Sequence, residues 1–167
     1  MRDVLAARRG FAKPAGTRSF GGTVSAMRHE TTVTIAASPP EVWAVLADVL
    51  NWPEWTPTAT SIAALDGELR VGHRFRVKQP GVAAAVWDVV EVEPGVSFVW
   101  ATRFAGSRMV ATHRIEATDA GSEVRLRIDF TGGFALLLAP VMAGRIRRFV
   151  EAEAAALKRT CEAPEDH

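Results

Sequence analysis

The chain of 167 residues contains no tyrosine, one cysteine and no long apolar run. The absence of tyrosine removes a common proton donor from any proposed site. The single cysteine, Cys161, excludes an intramolecular disulfide and a cysteine-based metal cluster, and its place near the end of the sequence argues against a catalytic thiol. The longest apolar run, Phe134–Ala143, is too short to span a bilayer, so we expect no stable membrane insertion.

Charge and known motifs narrow the function further. A net charge of +1, with 23% charged and 48% apolar residues, is typical of one ordinary globular domain and does not favour a nucleic-acid partner. The sequence has no zinc-binding helix motif and no acidic calcium loop, and its four histidines (His29, His73, His113 and His167) are scattered. It also lacks a nucleophile elbow and a glycine-rich phosphate loop. We therefore predict no metal and no cofactor.

The first 26 residues are basic, with five cations against one anion. Arg8-Arg9 resembles a twin-arginine export pattern, but no apolar core follows it, as a signal peptide would require. We expect residues 1–27 to be a disordered basic leader, 28–162 to be the folded domain and 163–167 a tail, in a cytoplasmic protein. An export signal, or a natural start at Met27, remain alternatives.

Two local patterns define the start of the domain. Thr31–Ile35 alternates β-branched residues and predicts a strand. In the segment that follows, Ser38 is a good N-cap, prolines occupy the first helical positions and Glu41 completes a capping box, which predicts a helix to about Asp48. A short aromatic segment, residues 51–57, contains prolines that prevent one long continuous helix.

A series of strands and one long helix complete the pattern. Short turns rich in glycine and proline separate six further predicted strands, which implies antiparallel hairpins: Ser61–Leu65, Arg74–Gln79, Ala83–Val92, Val96–Arg103, Met109–Ala117 and Glu123–Phe130. A helix is predicted over Leu136–Thr160, entered through Gly132-Gly133, with one apolar stripe that needs an apolar partner. The fold class is therefore α+β, with a helix lying across a curved sheet.

Several short stretches occur in a characteristic order along the chain: Ser38-Pro39-Pro40-Glu41-Val42-Trp43, Asn51-Trp52-Pro53-Glu54-Trp55, Val71-Gly72-His73-Arg74-Phe75, Glu93-Pro94-Gly95, His113-Arg114-Ile115-Glu116-Ala117 and Gly121-Ser122-Glu123-Val124. Together they resemble a known superfamily, the START-like or SRPBCC group, over about residues 30–160. The resemblance implies a helix-grip fold, in which a seven-stranded antiparallel sheet curls around the C-terminal helix and encloses an apolar cavity.

Side-chain alternation then gives candidate cavity residues. Trp52 and Trp55, in the short aromatic segment, are expected near the mouth of the cavity. The residues expected to face the cavity are Phe75, Val77, Phe98, Trp100, Leu126 and Ile128 on the strands, and Met142, Ile146 and Phe149 on the helix. For Trp52, Trp55 and Met142 a purely structural role is the more common one. For the other residues of the sheet and helix, filling a dry core is an equally good interpretation, and only the resemblance favours a cavity. His113 shares the parity of Ile115 and should point inward, where it could hydrogen-bond a ligand or act as a base. The more common alternative is a structural histidine that is satisfied by a buried backbone group. Asp88 is a second polar candidate whose face the pattern leaves open, and Arg103 should be a surface cation.

Three functions are compatible with these residues. The first is binding of a small hydrophobic ligand, such as a lipid, polyketide or isoprenoid, by a monomer or homodimer. The second is a polyketide cyclase, aromatase or dehydratase in which His113 or Asp88 moves a proton, which requires two polar groups within hydrogen-bond reach in the cavity. The third is a protein-interaction module, which requires an exposed apolar patch.

Overall fold

The computed structural model describes residues 25–163. The elements run in the order β1 (Ser25–Ile35), α1 (Pro39–Ala47), a 3-10 turn (Val49–Asn51), α2 (Trp52–Trp55), β2 (Ser61–Ala64), β3 (Arg74–Lys78), β4 (Ala85–Glu93), β5 (Ser97–Phe104), β6 (Ser107–Thr118), β7 (Gly121–Gly132) and α3 (Gly133–Glu162). The predicted leader lies outside the described residues as far as residue 24. The first strand begins at Ser25, six residues before the predicted Thr31, so it includes the last residues assigned to that leader.

The strands form one antiparallel sheet of seven in the order β1-β7-β6-β5-β4-β3-β2. Strands β2 to β7 are sequential hairpins, while β1 pairs with β7 and thereby brings the start of the domain beside its last strand. The predicted α+β helix-grip fold is confirmed, because the long α3 packs on this sheet, mainly against β1 and β7. The hairpin turns are local signals, which is why the sequence located them well.

Helix α1 begins at the predicted capping box. The Glu41 carboxylate accepts hydrogen bonds from the backbone N–H and the hydroxyl of Ser38, at 2.7 and 2.5 Å. This pair satisfies an N–H that has no partner within the helix and fixes the direction in which α1 leaves β1.

A glycine joins β7 to α3. Gly132 has φ +107, and a Cβ at this position would lie 2.8 Å from the carbonyl oxygen of Gly106 and 2.9 Å from Cα of Ser107. Only a residue without a side chain fits both the dihedral angle and the close approach. The predicted glycine entry to the helix is therefore present, and it holds the start of α3 against the turn between β5 and β6.

Candidate functional site

A small cavity lies between the concave face of the sheet and α3. Its volume is about 80 Å³, it is partly open to solvent, and its lining comes from α2, the segment after it, five strands and α3: Trp52, Thr58, Ala59, Val77, Gln79, Trp87, Trp100, Met109, Ala111, His113, Ile128, Ile146, Phe149, Val150 and Glu153. The half-buried members include Gln79, Met109, Ile128 and Phe149, whereas Trp52, Trp100 and His113 are buried.

His113 lies on β6 and is only 4% exposed. Its imidazole stacks on Phe98 of the adjacent strand, with ring centroids 4.3 Å apart and planes 11° apart. The strand register explains the contact, because Phe98 and His113 are directly opposite each other in the β5–β6 ladder. Trp52 closes the other side with its ring centroid 5.4 Å away. The imidazole is thus held in a fixed orientation by aromatic neighbours.

Glu153, on α3, is the polar partner of His113. Its Oε1 lies 3.1 Å from His113 Nε2, and the two side chains are 14% and 5% exposed. An ionised carboxylate only accepts hydrogen bonds, so a neutral His113 must donate from Nε2 and carry its lone pair on Nδ1. That Nδ1 is buried and has no hydrogen-bond partner within the protein. The pair therefore presents one unused hydrogen-bonding atom in an aromatic setting.

Sequence reasoning did not identify Glu153. The signal was present, since Glu153 follows the predicted inward residue Ile146 by seven positions and therefore lies on the same helix face. From the sequence alone, a glutamate between Ala152 and Ala154 looks like one of the solvent-exposed charges of the helix. Its buried position is evident only once its partner His113, forty residues earlier in the sequence, is known. Other lining residues absent from the predicted set are Thr58, Ala59, Gln79, Trp87, Met109, Ala111 and Val150.

Trp52 organises the aromatic wall. Its indole N–H donates to the carbonyl of Leu46 at 3.0 Å, which ties α2 to the end of α1. Its ring meets Trp100 edge-on, with centroids 5.3 Å apart, and Trp100 in turn lies 5.4 Å from Trp87. Tryptophan pairs in this geometry gain from ring electrostatics as well as from burial.

The predicted site residues divide into two groups. Seven of them line the cavity: Trp52, Val77, Trp100, His113, Ile128, Ile146 and Phe149. Phe75, Phe98 and Leu126 are buried in the core beside the cavity without lining it, and Trp55 and Met142 are half-buried outside its wall. Side-chain parity predicts which face of the sheet a residue is on. It does not predict which of the inward residues along a strand line the cavity and which pack in the core.

Asp88 does not lie with the cavity residues. It is exposed, while its neighbours Trp87 and Val89 are buried, so the carboxylate projects from the outer face of β4. Arg103 is exposed, as its alternation predicted. Of the two polar candidates for proton transfer, only His113 lines the cavity.

The cavity lining is apolar apart from a few groups. Gln79 and Thr58 join the His113–Glu153 pair as its polar members. The Thr58 hydroxyl already exchanges a hydrogen bond with Thr56 at 2.9 Å. A volume of about 80 Å³ is below the ~300 Å³ at which pockets for drug-sized ligands begin. The cavity is therefore a small, mainly apolar space with the His113–Glu153 pair at its wall.

Within residues 25–163, no three His, Cys, Asp or Glu side chains converge where they could hold a metal ion. In the same part of the chain, no helix has the length and apolar character needed to cross a membrane.

The sequence matches a family model described as polyketide cyclase / dehydrase and lipid transport, over residues 26–162. Because this match covers most of the chain, the protein belongs to that family, which is of the SRPBCC type. Among curated proteins, none has a matching sequence.

Solved structures share the fold at low sequence identity. The Zhui aromatase/cyclase from Streptomyces sp. R1128 is 20% identical, with a TM-score of 0.60 over 82% of this chain and 96% of that one. XoxI from Bacillus cereus is 16% identical, with a TM-score of 0.67 over 84% of this chain and 99% of that one. The di-domain ARO/CYC StfQ of the steffimycin biosynthetic pathway is 15% identical, with a TM-score of 0.64 over 81% of this chain and half of that longer one. At these identities the likeness establishes the architecture alone.

Proposed function

We propose that the protein binds a small, mainly apolar molecule in the cavity between the sheet and α3, and that His113 recognises an oxygen or nitrogen group on it. The observation that carries the proposal is the unpartnered Nδ1 of a buried histidine whose other nitrogen is held by Glu153. A buried polar atom without a partner costs about 1–3 kcal/mol, and a ligand hydroxyl would recover that cost. Membership of a family described by polyketide cyclases and lipid transport supports this ligand class.

The chemistry of the wall favours an aromatic or polyketide-like ligand over a long flexible chain. Three tryptophans and Phe149 offer flat apolar faces, which suit planar rings. Burial at about 25 cal/mol per Å² of apolar area would supply the affinity, and His113 would set the orientation. The small volume implies that a fused-ring ligand enters as the half-buried residues at the mouth, Met109 and Phe149, move aside.

Two matched probes test this proposal: 1-naphthol, which carries a hydroxyl, and naphthalene, which does not. We expect the wild-type protein to bind naphthol about tenfold more tightly than naphthalene, the value of one good hydrogen bond, measured by quenching of tryptophan fluorescence. His113→Phe should abolish that preference while still binding both molecules.

The control is His73→Phe, because His73 lies outside the cavity and its ring nitrogen bonds the carbonyl of Glu68 instead. This control should keep the preference for naphthol. If the wild-type protein binds neither probe, or if His113→Phe discriminates as well as the wild type, the proposed site fails.

The His113–Glu153 pair also supports a second candidate function, that of an enzyme that transfers protons on a bound ketone. His113 Nδ1 would take a proton from a carbon next to a carbonyl, and Glu153 would stabilise the resulting imidazolium. The enolate would add to a second carbonyl, and the imidazolium would return its proton to the new alkoxide. Water would then be lost in a second round: His113 Nδ1 takes another α-proton, the enolate electrons form the carbon–carbon double bond, and the imidazolium gives its proton to the departing hydroxyl, which leaves as water. The aromatase/cyclase named among the similar structures is consistent with such a reaction.

Proton abstraction is measurable without knowing the natural substrate. In deuterated buffer, 2-tetralone should exchange its α-protons faster with the wild-type protein than with Glu153→Gln or His113→Phe, as followed by proton NMR. Exchange at the buffer rate, with tetralone shown to be bound, would exclude the enzyme and leave the binding function intact.

A further inference from the structure

One edge of the molecule exposes large apolar side chains on two neighbouring elements. On α3, Phe134, Leu137 and Val141 are 54%, 72% and 80% exposed, and Phe104 at the end of β5 is 63% exposed. The three helical residues are spaced three and four apart, so they form one outward row. The fit of Gly132 against Gly106 brings the start of the helix beside the β5–β6 turn that follows Phe104. We call these four residues, with Arg103, Arg108 and Arg148, the docking edge.

Three arginines lie near the exposed apolar residues: Arg103 and Arg108 at the β5–β6 turn next to Phe104, and Arg148 two turns of α3 beyond Val141. Segments 103–110 and 130–150 contain no Asp or Glu. Within residues 25–163, neither Arg103, Arg108 nor Arg148 makes an ion pair, whereas most of the other arginines do. Arg103 and Arg108 face each other across the β5–β6 ladder and line an open groove with Thr131. Unpaired cations beside exposed apolar groups indicate a negatively charged, partly apolar partner.

From the exposed apolar side chains and the unpaired arginines we infer that the docking edge binds the surface of an anionic lipid bilayer. A row of Phe, Leu and Val flanked by arginines is the pattern of a helix that lies in the membrane interface, with the apolar groups at the acyl boundary and the cations on the headgroups. Apolar side chains that project from a helix and from the end of a strand can enter such a boundary. The binding is peripheral and is independent of the occupant of the cavity.

A second copy of the chain is a poorer partner for this edge. A twofold contact would place the same surface against itself, and that surface has no carboxylate in segments 103–110 and 130–150 to pair with its arginines. The cavity mouth lies at the same end of the sheet, since Met109, which lines it, follows the β5–β6 turn by only a few residues. A docked protein would therefore hold the cavity opening close to the bilayer.

Vesicle co-sedimentation of the full chain tests the inference. We expect binding to vesicles of phosphatidylcholine with about 30% phosphatidylglycerol at low salt, weaker binding at about 0.15 M salt, and no binding to phosphatidylcholine alone. Leu137→Ser/Val141→Ser should lower the partition coefficient at least about tenfold through lost apolar burial. Arg148→Glu should lower it by at least about fivefold.

Matched controls exist for both changes. The control for Arg148→Glu is Arg159→Glu, which changes an exposed arginine on the same face of α3, eleven positions further on. The control for the Leu137/Val141 variant is Val71→Ser, which changes an apolar side chain that is 56% exposed at the opposite end of the sheet. Both should bind as the wild type does. The inference is overturned by absence of vesicle binding, by binding that the Leu137/Val141 change leaves intact, or by light scattering showing that these residues hold a dimer instead.

Discussion

The imidazole of His113 lies parallel to the ring of Phe98, with centroids 4.3 Å apart, while its Nε2 faces the carboxylate of Glu153 at 3.1 Å. Stacking on Phe98 determines the plane of the imidazole, and the Glu153 carboxylate determines that the neutral ring carries its proton on Nε2. The other ring nitrogen, Nδ1, has no hydrogen-bond partner within the protein. Phe98, His113 and Glu153 lie on β5, β6 and α3. A shift of any of these three elements would therefore change the geometry of the site.

The first prediction concerns the tautomer of His113. In the wild-type protein, long-range proton–nitrogen NMR should show the neutral ring protonated at Nε2, because Glu153 accepts from that atom. Glu153→Ala removes the acceptor, so the ring should populate both tautomers and the free energy of unfolding should fall by about 1–3 kcal/mol. A ring protonated at Nδ1 in the wild type would contradict the arrangement.

The second prediction concerns the junction of β7 and α3. Gly132→Ala should lower the free energy of unfolding by about 1–3 kcal/mol in urea titrations, since the new methyl group meets Gly106 and the backbone angle is strained. Gly133→Ala is the matched control: nothing lies within 4 Å of its Cβ and it is helical, so it should be neutral or stabilising by about 0.4–1 kcal/mol. Equal effects of the two substitutions would refute the close approach.

The third prediction concerns Cys161. Burial is the main cause that raises the pKa of its thiol to about 11, and the nearby carboxylate of Glu162 adds to the effect. Because only the thiolate reacts, alkylation by iodoacetamide at pH 8 should be about 100-fold slower in the folded protein than in guanidinium chloride. Similar rates in the two states would show that the thiol is freely accessible and ionisable.

The fourth prediction concerns acid stability. Hydrogen bonds from Arg74 lower the pKa of Asp66 below its ordinary value of 3.8, and hydrogen bonds from Ser38 lower the pKa of Glu41 below 4.5. A carboxylate whose pKa is lower when folded contributes stability above the unfolded pKa, and this stability is lost as the pH falls through the folded pKa. The free energy of unfolding should therefore decline below about pH 4.5.

A single substitution isolates the Asp66 contribution. Asp66→Asn should flatten the decline below pH 3.8, whereas Asp119→Asn, which alters an exposed carboxylate in the β6–β7 turn, should leave it unchanged. Denaturant titrations at several pH values measure the slope. An unchanged slope in Asp66→Asn would mean that the Arg74 contact does not stabilise the folded state.

The fold was predictable because its signals are local. The capping box of Ser38 and Glu41, the turn glycines and the alternation along β7 each depend on a few adjacent residues, and the structure contains all of them. Strand ends differ by a few residues, and β1 differs most, because pairing with β7 extends it back to Ser25. That extension depends on a partner about a hundred residues away.

The site was less predictable because it depends on non-local geometry. Parity placed His113 inward, but Glu153 reaches it only through the packing of α3 on the sheet. Strand β4 has apolar residues on both faces, and Val86 and Val90 turned out to be exposed, so the pattern could not assign the face of Asp88. Likewise Phe75 and Phe98 were on the predicted face, yet they pack in the core beside the cavity.

The most direct test of the ligand site is a titration of nitrogen-labelled protein with 1-naphthol, followed through the ring nitrogens of His113. We expect the Nδ1 resonance to shift with naphthol and to shift far less with naphthalene, while Nε2 keeps its proton because Glu153 still accepts it. Naphthol that binds without changing the His113 Nδ1 resonance would contradict the proposed site.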